Sequence, residues 1–282
     1  MAKTLALCAL VGLSVGLAYM YMVAGQCPAW CADMHAGIVS GSIEAPFRYR
    51  VMGAWVAEVF AGGVAIQYAL AHLVIAPLAF MAVGAWLREF GDERQAVIGC
   101  MVLASVFLTA YRVWGIALYS LIEVGLLAAG LLYMRRRGAD VGYVLLVLVA
   151  GINRETTAVL LVLVAAGSGR AWVPSALAMA AVFVGLRVAL GDGTVGQSIL
   201  SVWAQNLVPS RMLAAVFNHL ALVPFAVLAW MGRSAVDARL AAVVCVPYVI
   251  IVLVFGFYDE TRLWLPLLVL WLPAMITRRG EP

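Results

Sequence analysis

Charge is what this sequence has least of. Only 11% of its 282 residues are Asp, Glu, Lys or Arg, 66% are apolar, and the mean hydropathy is +1.04. A soluble domain carries roughly 25% charged residues, so a chain this depleted reads as a polytopic membrane protein. A polar stretch long enough to make a soluble domain is also missing. The expectation is one all-α transmembrane domain over residues 1–282. The net charge of +4 is modest, and no basic face interleaved with aromatics occurs, which leaves no case for a nucleic-acid partner. Phosphate-loop and dinucleotide fingerprints are absent, so an ATP-driven machine or a nicotinamide enzyme has no support. Histidine is scarce: His35, His72 and His219 lie far apart, and no cofactor or divalent metal is implied.

Cysteine is sparse too. Cys8, Cys100 and Cys245 fall in apolar runs and read as small hydrophobes. Cys27 and Cys31, in "CPAWC", lie in the first loop, where an extracytoplasmic location would permit a disulfide. Their spacing is not the usual zinc one, and no second Cys/His pair follows.

Long apolar runs are what the sequence does have. The N-terminal "MAKTLALCALVGLSVGLAYMYM" starts like a signal peptide. Its apolar run is longer than a usual signal core, so an uncleaved anchor helix is expected. Runs of membrane-spanning length place helices at 4–25, 64–88, 95–111, 113–134, 171–190, 212–231, 240–257 and 262–277, about eight spans in all. Residues 51–63 read as a short amphipathic helix at the interface, with Glu58 on its wet side. "GLSVG" in the first span matches G-x-S-x-G, but without a strand–turn–helix context its small residues read as close helix packing.

The segment 141–167 breaks the pattern, because "GINRETTAV" sets Asn153, Arg154 and Glu155 in the middle of an apolar run. An ionisable residue at bilayer depth costs roughly 2.5–3.5 kcal/mol on insertion scales, so it marks either a lined cavity or an ion pair that pins two helices. Residues 141–152 and 156–167, twelve on each side, give half-helices of about 18 Å, a little over half the hydrocarbon thickness. A re-entrant or broken helix fits that length. With re-entry, eleven of the 18 Lys and Arg residues fall inside and six outside, with Arg154 in the membrane. A single crossing would divide them almost evenly, so the positive-inside rule prefers re-entry with both termini cytoplasmic.

In that topology the first loop (26–50), the 191–211 loop and "FYDETR" (257–262) share the outer side, and the 153–155 tip approaches them from below. The first loop offers two acids, Asp33 and Glu44, and then "PFRYR", with Arg48 and Arg50 beside two aromatic rings. Such arginines bind phosphate or anchor a membrane boundary, and their outward position against the charge bias favours binding. Asp259, Glu260 and Arg262 repeat the theme, either as part of the same site or as a capped turn. Glu123, alone in the fourth span, either lines the cavity or pairs with a buried arginine.

The ordered set "D…G…PFRYRV", "NRET" and "ETRLWLP" resembles a group of small bacterial and phage integral membrane proteins related to the GT-C membrane glycosyltransferases. The resemblance spans nearly the whole chain through short motifs. This sequence departs from the group by continuing Val51-Met52-Gly53-Ala54 where a proline is usual. The resemblance implies a GT-C-like fold in a bacterial inner membrane, and transfer of a sugar from a polyprenyl-phosphate donor to an extracytoplasmic glycan or lipid acceptor. It implies an acid in the first outer loop, and Asp33 matches that position better than Glu44 because it directly follows the first span. Arg48, Arg50, Arg154 and Arg262 would then stabilise the departing phosphate, with Asn153, Glu155 and Glu260 holding them or binding sugar hydroxyls. Two other classes stay open. A small transporter or lipid flippase would also use a broken helix with midplane charges, though no internal repeat is found. A non-catalytic scaffold would need only structural ion pairs.

The topology predicts that cysteines placed in 195–205 are labelled from outside in intact cells, whereas those in 233–239 are not. Labelling of 233–239 would contradict re-entry.

Overall fold

The computed structural model describes residues 1–22, 29–43, 50–113, 118–167, 172–190, 199–213, 215–216, 227, 248–250 and 261–276. All regular structure among them is helical. The helices are α1 (Ala2–Met22), α2 (Ala29–Val39), α3 (Val51–Glu58), α4 (Val64–Leu87), α5 (Glu93–Val113), α6 (Leu118–Arg137), α7 (Val141–Asn153), α8 (Glu155–Ala166), α9 (Trp172–Leu190) and α10 (Ile199–Asn206). Near the C-terminus a 3₁₀ turn (Thr261–Trp264) leads into α11 (Leu265–Ile276).

Four of these, α1, α4, α6 and α9, are long and apolar enough to cross a membrane. In hydrocarbon every backbone N–H and C=O needs an internal partner, and an uninterrupted helix supplies it. The chain is therefore compatible with an integral membrane protein, with four such helices among the described residues where eight spans were expected. Most of 212–231 and 240–257 lies outside the described residues. The 262–277 run is shorter as a helix than expected, because it opens with the 3₁₀ turn before α11. Two helices lie where loops were expected, α2 within 26–50 and α10 within 191–211.

The first pair, α1 on α4, packs through the "GLSVG" glycines. A Cβ at Gly12 would lie 2.5 Å from the Ala76 carbonyl oxygen, and one at Gly16 would lie 2.9 Å from that of His72. Close backbone approach through residues four apart is how small side chains join membrane helices. The core continues through α5, α6 and α11, and Cys8 and Cys100 are buried in it.

One end of the bundle is closed by turns with specific chemistry. Asp92 and Gln95 cap α5 reciprocally, each side chain accepting from the other's backbone N–H at 2.7 Å. The cations Arg135 to Arg137 extend α6 past its apolar run and complement the helix dipole. Two of them reach the α4–α5 turn, where Arg136 meets Glu89 at 2.6 Å and Arg135 lies over the Phe90 ring. Gly138, at φ 79°, ends α6, and Asp140 caps α7 by accepting from Tyr143 N at 3.2 Å. The Tyr133 hydroxyl, donating to Asp140, holds that carboxyl below its ordinary range.

The segment with the polar insert is a hairpin. Asn153 ends α7, Arg154 is extended (φ −166°, ψ 131°), and α8 starts at Glu155. The Tyr143 hydroxyl donates to the Leu161 carbonyl. In a straight helix those residues would stand about 27 Å apart, so α7 and α8 must fold back on one another. Helix α9 packs against both. Its opposite face leaves Leu177, Val184 and Val188 exposed, as a lipid-facing helix does.

Candidate functional site

The hairpin tip ends beside the first turns of α6. Tyr119, Ser120 and Glu123 line that end of α6, all buried. Arg154 Nη1 meets Glu123 Oε2 at 2.7 Å, with side-chain exposures of only 1% and 0%. Thr156 Oγ1 donates to the other carboxylate oxygen at 2.7 Å, so both oxygens of Glu123 are engaged. Asn153 Nδ2 donates to the Tyr119 carbonyl at 2.9 Å and fixes the other side of the tip. Its Oδ1, with Ser120 Oγ and Thr157 Oγ1, is buried without a hydrogen-bond partner among the described residues.

A second arginine arrives from a distant part of the chain. Arg50 is the N-cap residue of α3, which starts at once with Val51. The guanidinium carbons of Arg50 and Arg154 lie 5.5 and 5.6 Å from the centroid of the same Tyr119 ring. Both distances are within cation–π reach. Arg154 is likewise the N-cap residue of α8. A cation at a helix N-terminus opposes the helix dipole, so this placement is unfavourable for the helices taken alone. It also brings two guanidiniums, each from the start of a helix, to one ring, and guanidiniums and helix N-termini both favour anions. The Tyr248 hydroxyl donates to the Leu263 carbonyl at 2.6 Å, and Tyr248 lies within electrostatic reach of Glu123, Arg154 and Arg50. The backbone of the C-terminal "ETRLWLP" motif thus joins the same end of the bundle.

Beside this cluster lies another. His35 on α2 is buried, with Nδ1 3.4 Å from the Tyr68 hydroxyl and Nε2 3.8 Å from Glu58 Oε1. Tyr68, on α4, is within electrostatic reach of both Glu58 and Tyr119, which links the two groups.

The structure therefore brings together Arg50, Asn153 and Arg154. Asp33 lies on the exposed face of α2, while Arg48, Glu44 and Glu260 fall outside the described residues. Glu155 and Arg262 are placed by their backbones, at the start of α8 and in the 3₁₀ turn, but their side chains are not described. The carboxylate seen against Arg154 is Glu123, on another helix, one of the two roles its sequence position left open, whereas the side chain of the neighbouring Glu155 is not described. A lone acid and a lone arginine in separate apolar segments are the signal for that pairing, since intramembrane charges pair with one another. His35, Glu58 and Tyr119 carried no sequence pattern that pointed to this site. Among the described residues no group of three His, Cys, Asp or Glu side chains is placed to hold a metal ion.

No protein-family model, curated protein or solved structure matches this chain.

Removing one partner from a wholly buried pair strands the other charge. Arg154→Ala and Glu123→Ala should each destabilise the folded protein by about 3–5 kcal/mol, and the double variant by clearly less than their sum. Unfolding in detergent measures this, and additive effects would contradict a direct pair.

Proposed function

We propose that this protein is a GT-C-like membrane glycosyltransferase that takes a sugar from a polyprenyl-phosphate donor and passes it to an extracytoplasmic acceptor. The observation that carries this reading is the convergence of Arg50 and Arg154, from segments far apart in sequence, on the Tyr119 ring. A lipid-linked phosphodiester bears one negative charge, and cleavage of its bond to the sugar leaves a phosphate monoester bearing nearly two. Guanidiniums fixed before the reaction stabilise the developing charge more than the starting one, which is what accelerates the step. The donor's lipid tail explains why such a site belongs on membrane helices. Tyr119 lies about 25 Å along α6 from the Arg135–Arg137 end, and the positive-inside rule, which keeps those cations inside, turns the Tyr119 end outward in a bacterial inner membrane.

Complete burial of Arg154 with Glu123 favours a second reading, in which the pair is only a brace that holds the hairpin to α6. Arg50 separates the two, because a brace does not require it.

Purified membranes supplied with labelled undecaprenyl-phosphate glucose, mannose and galactose should release undecaprenyl phosphate from at least one donor. Arg50→Ala should lower the rate by about 10²-fold at matched expression, as for loss of one oxyanion-stabilising donor. Release unchanged in Arg50→Ala would contradict the phosphate role and leave the brace.

A further inference from the structure

Transfer to a hydroxyl needs a proton acceptor as well as a phosphate site. The burial pattern of α2 bears on which residue that is. His35, Gly37 and Ile38 face the bundle, whereas Ala32, Asp33 and Ala36 are exposed. Residues two apart on a helix point about 200° away from each other, so α2 cannot present Asp33 and His35 to the same place. The side chain it turns inward is the imidazole.

That imidazole is held from both sides. Its partners assign the tautomer: Nδ1 accepts from the Tyr68 hydroxyl, and Nε2–H faces the Glu58 carboxylate. The Tyr68 ring also meets it edge-on, with centroids 5.6 Å apart and planes at 86°. At 3.8 Å, Nε2 is too far from Oε1 for a direct hydrogen bond, which leaves carboxylate lone pairs available to an incoming hydroxyl. Access divides in the same way, with the His35 side chain 9% exposed and that of Glu58 43%. The buried ring is placed to orient, and the open carboxylate to react.

Position along α3 supplies the second argument. Arg50 caps the N-terminus of this eight-residue helix and Glu58 ends it, about 12 Å away along the backbone. The guanidinium and the carboxylate thus stand at opposite ends of one short helix. Tyr68 is within electrostatic reach of both Tyr119, whose ring Arg50 meets, and Glu58.

We propose, resting on the transferase reading above, that Glu58 is the proton acceptor of the transfer and that His35 and Tyr68 are its positioning residues. The acceptor's O–H proton passes to a Glu58 carboxylate oxygen as the acceptor oxygen bonds to the anomeric carbon. The bond from that carbon to the phosphate oxygen breaks, and its electron pair leaves with the phosphate, held by Arg50 and Arg154. Glu58 then releases the proton to solvent from its exposed side.

The test uses the full-length protein in membranes and the same undecaprenyl-phosphate glucose, mannose and galactose donors. Glu58→Gln should lose at least about 100-fold in turnover while undecaprenyl phosphate still binds as in wild type. Asp33→Asn should change turnover by no more than about threefold, because Asp33 lies on the face of α2 turned away from His35 and the bundle. His35→Asn should lower kcat more than it raises KM and should move the acid limb of the pH–rate profile, which a purely structural residue would not do. Wild-type turnover in Glu58→Gln, or its loss in Asp33→Asn alone, would overturn the assignment and leave the transferase reading standing. No release from any donor by wild type would end both. Should Glu58→Gln fail to accumulate, Glu58→Asp replaces it: a displaced acid limb supports the assignment and an unchanged profile overturns it.

Discussion

An arginine enclosed among apolar helices has to be neutralised where it comes to rest, and in this protein Glu123 does that. The pairing sets the geometry of much that surrounds it. Arg154 sits at the break between α7 and α8, so the hairpin tip stops at the depth of Glu123 on α6. Thr156 and Asn153 then fasten the tip on either side, to Glu123 and to the Tyr119 carbonyl. With the tip fixed, α7 and α8 run back to the Arg135–Arg137 end, and α9 covers both. Replacing such a pair with apolar side chains often costs nothing in stability, so its retention favours a role in specifying position over a role in adding stability.

The same constraint places the second arginine. Tyr119 lies one helical turn from Glu123, and its ring is where Arg50 arrives from the start of α3. Two guanidiniums thus meet on one ring, with Glu123 against one of them. The His35–Glu58–Tyr68 group lies next to it on the other side of Tyr68. In the proposed reading, phosphate binding and proton transfer fall to two neighbouring clusters at one end of the bundle.

Legibility followed how local each interaction was. Residues 64–88 and 171–190 are long, predominantly apolar runs, and α4 and α9 match them within one residue at each end. The break at Arg154 was legible because charge interrupts an apolar segment, and the hairpin because each half is too short to span. The fourth span was ended too early, at residue 134, since hydropathy discounts Arg135 to Arg137. Those residues in fact continue α6 to residue 137, where cations suit a helix C-terminus. Helix α2 escaped notice because its polar Asp33 and His35 break the apolar pattern. Within the site, Arg50, Asn153 and Arg154 stood out as charge or amide in unexpected places. Glu123 stood out as well, as a lone acid in a span, but which arginine it meets is decided by lateral packing, and Tyr119 is one aromatic among many. His35 and Asp33 differ by the face of a short helix, which a stretch read as loop could not reveal.

The central claim is that Arg154 marks a fold-back held at Glu123. It is tested most directly by the distance between spin labels at Val141 and Gly167, both exposed, in the reconstituted full-length protein. The hairpin predicts a separation of about 20 Å or less, since the two half-helices lie side by side. A separation of about 39 Å, the length of one straight helix between those positions, would contradict it.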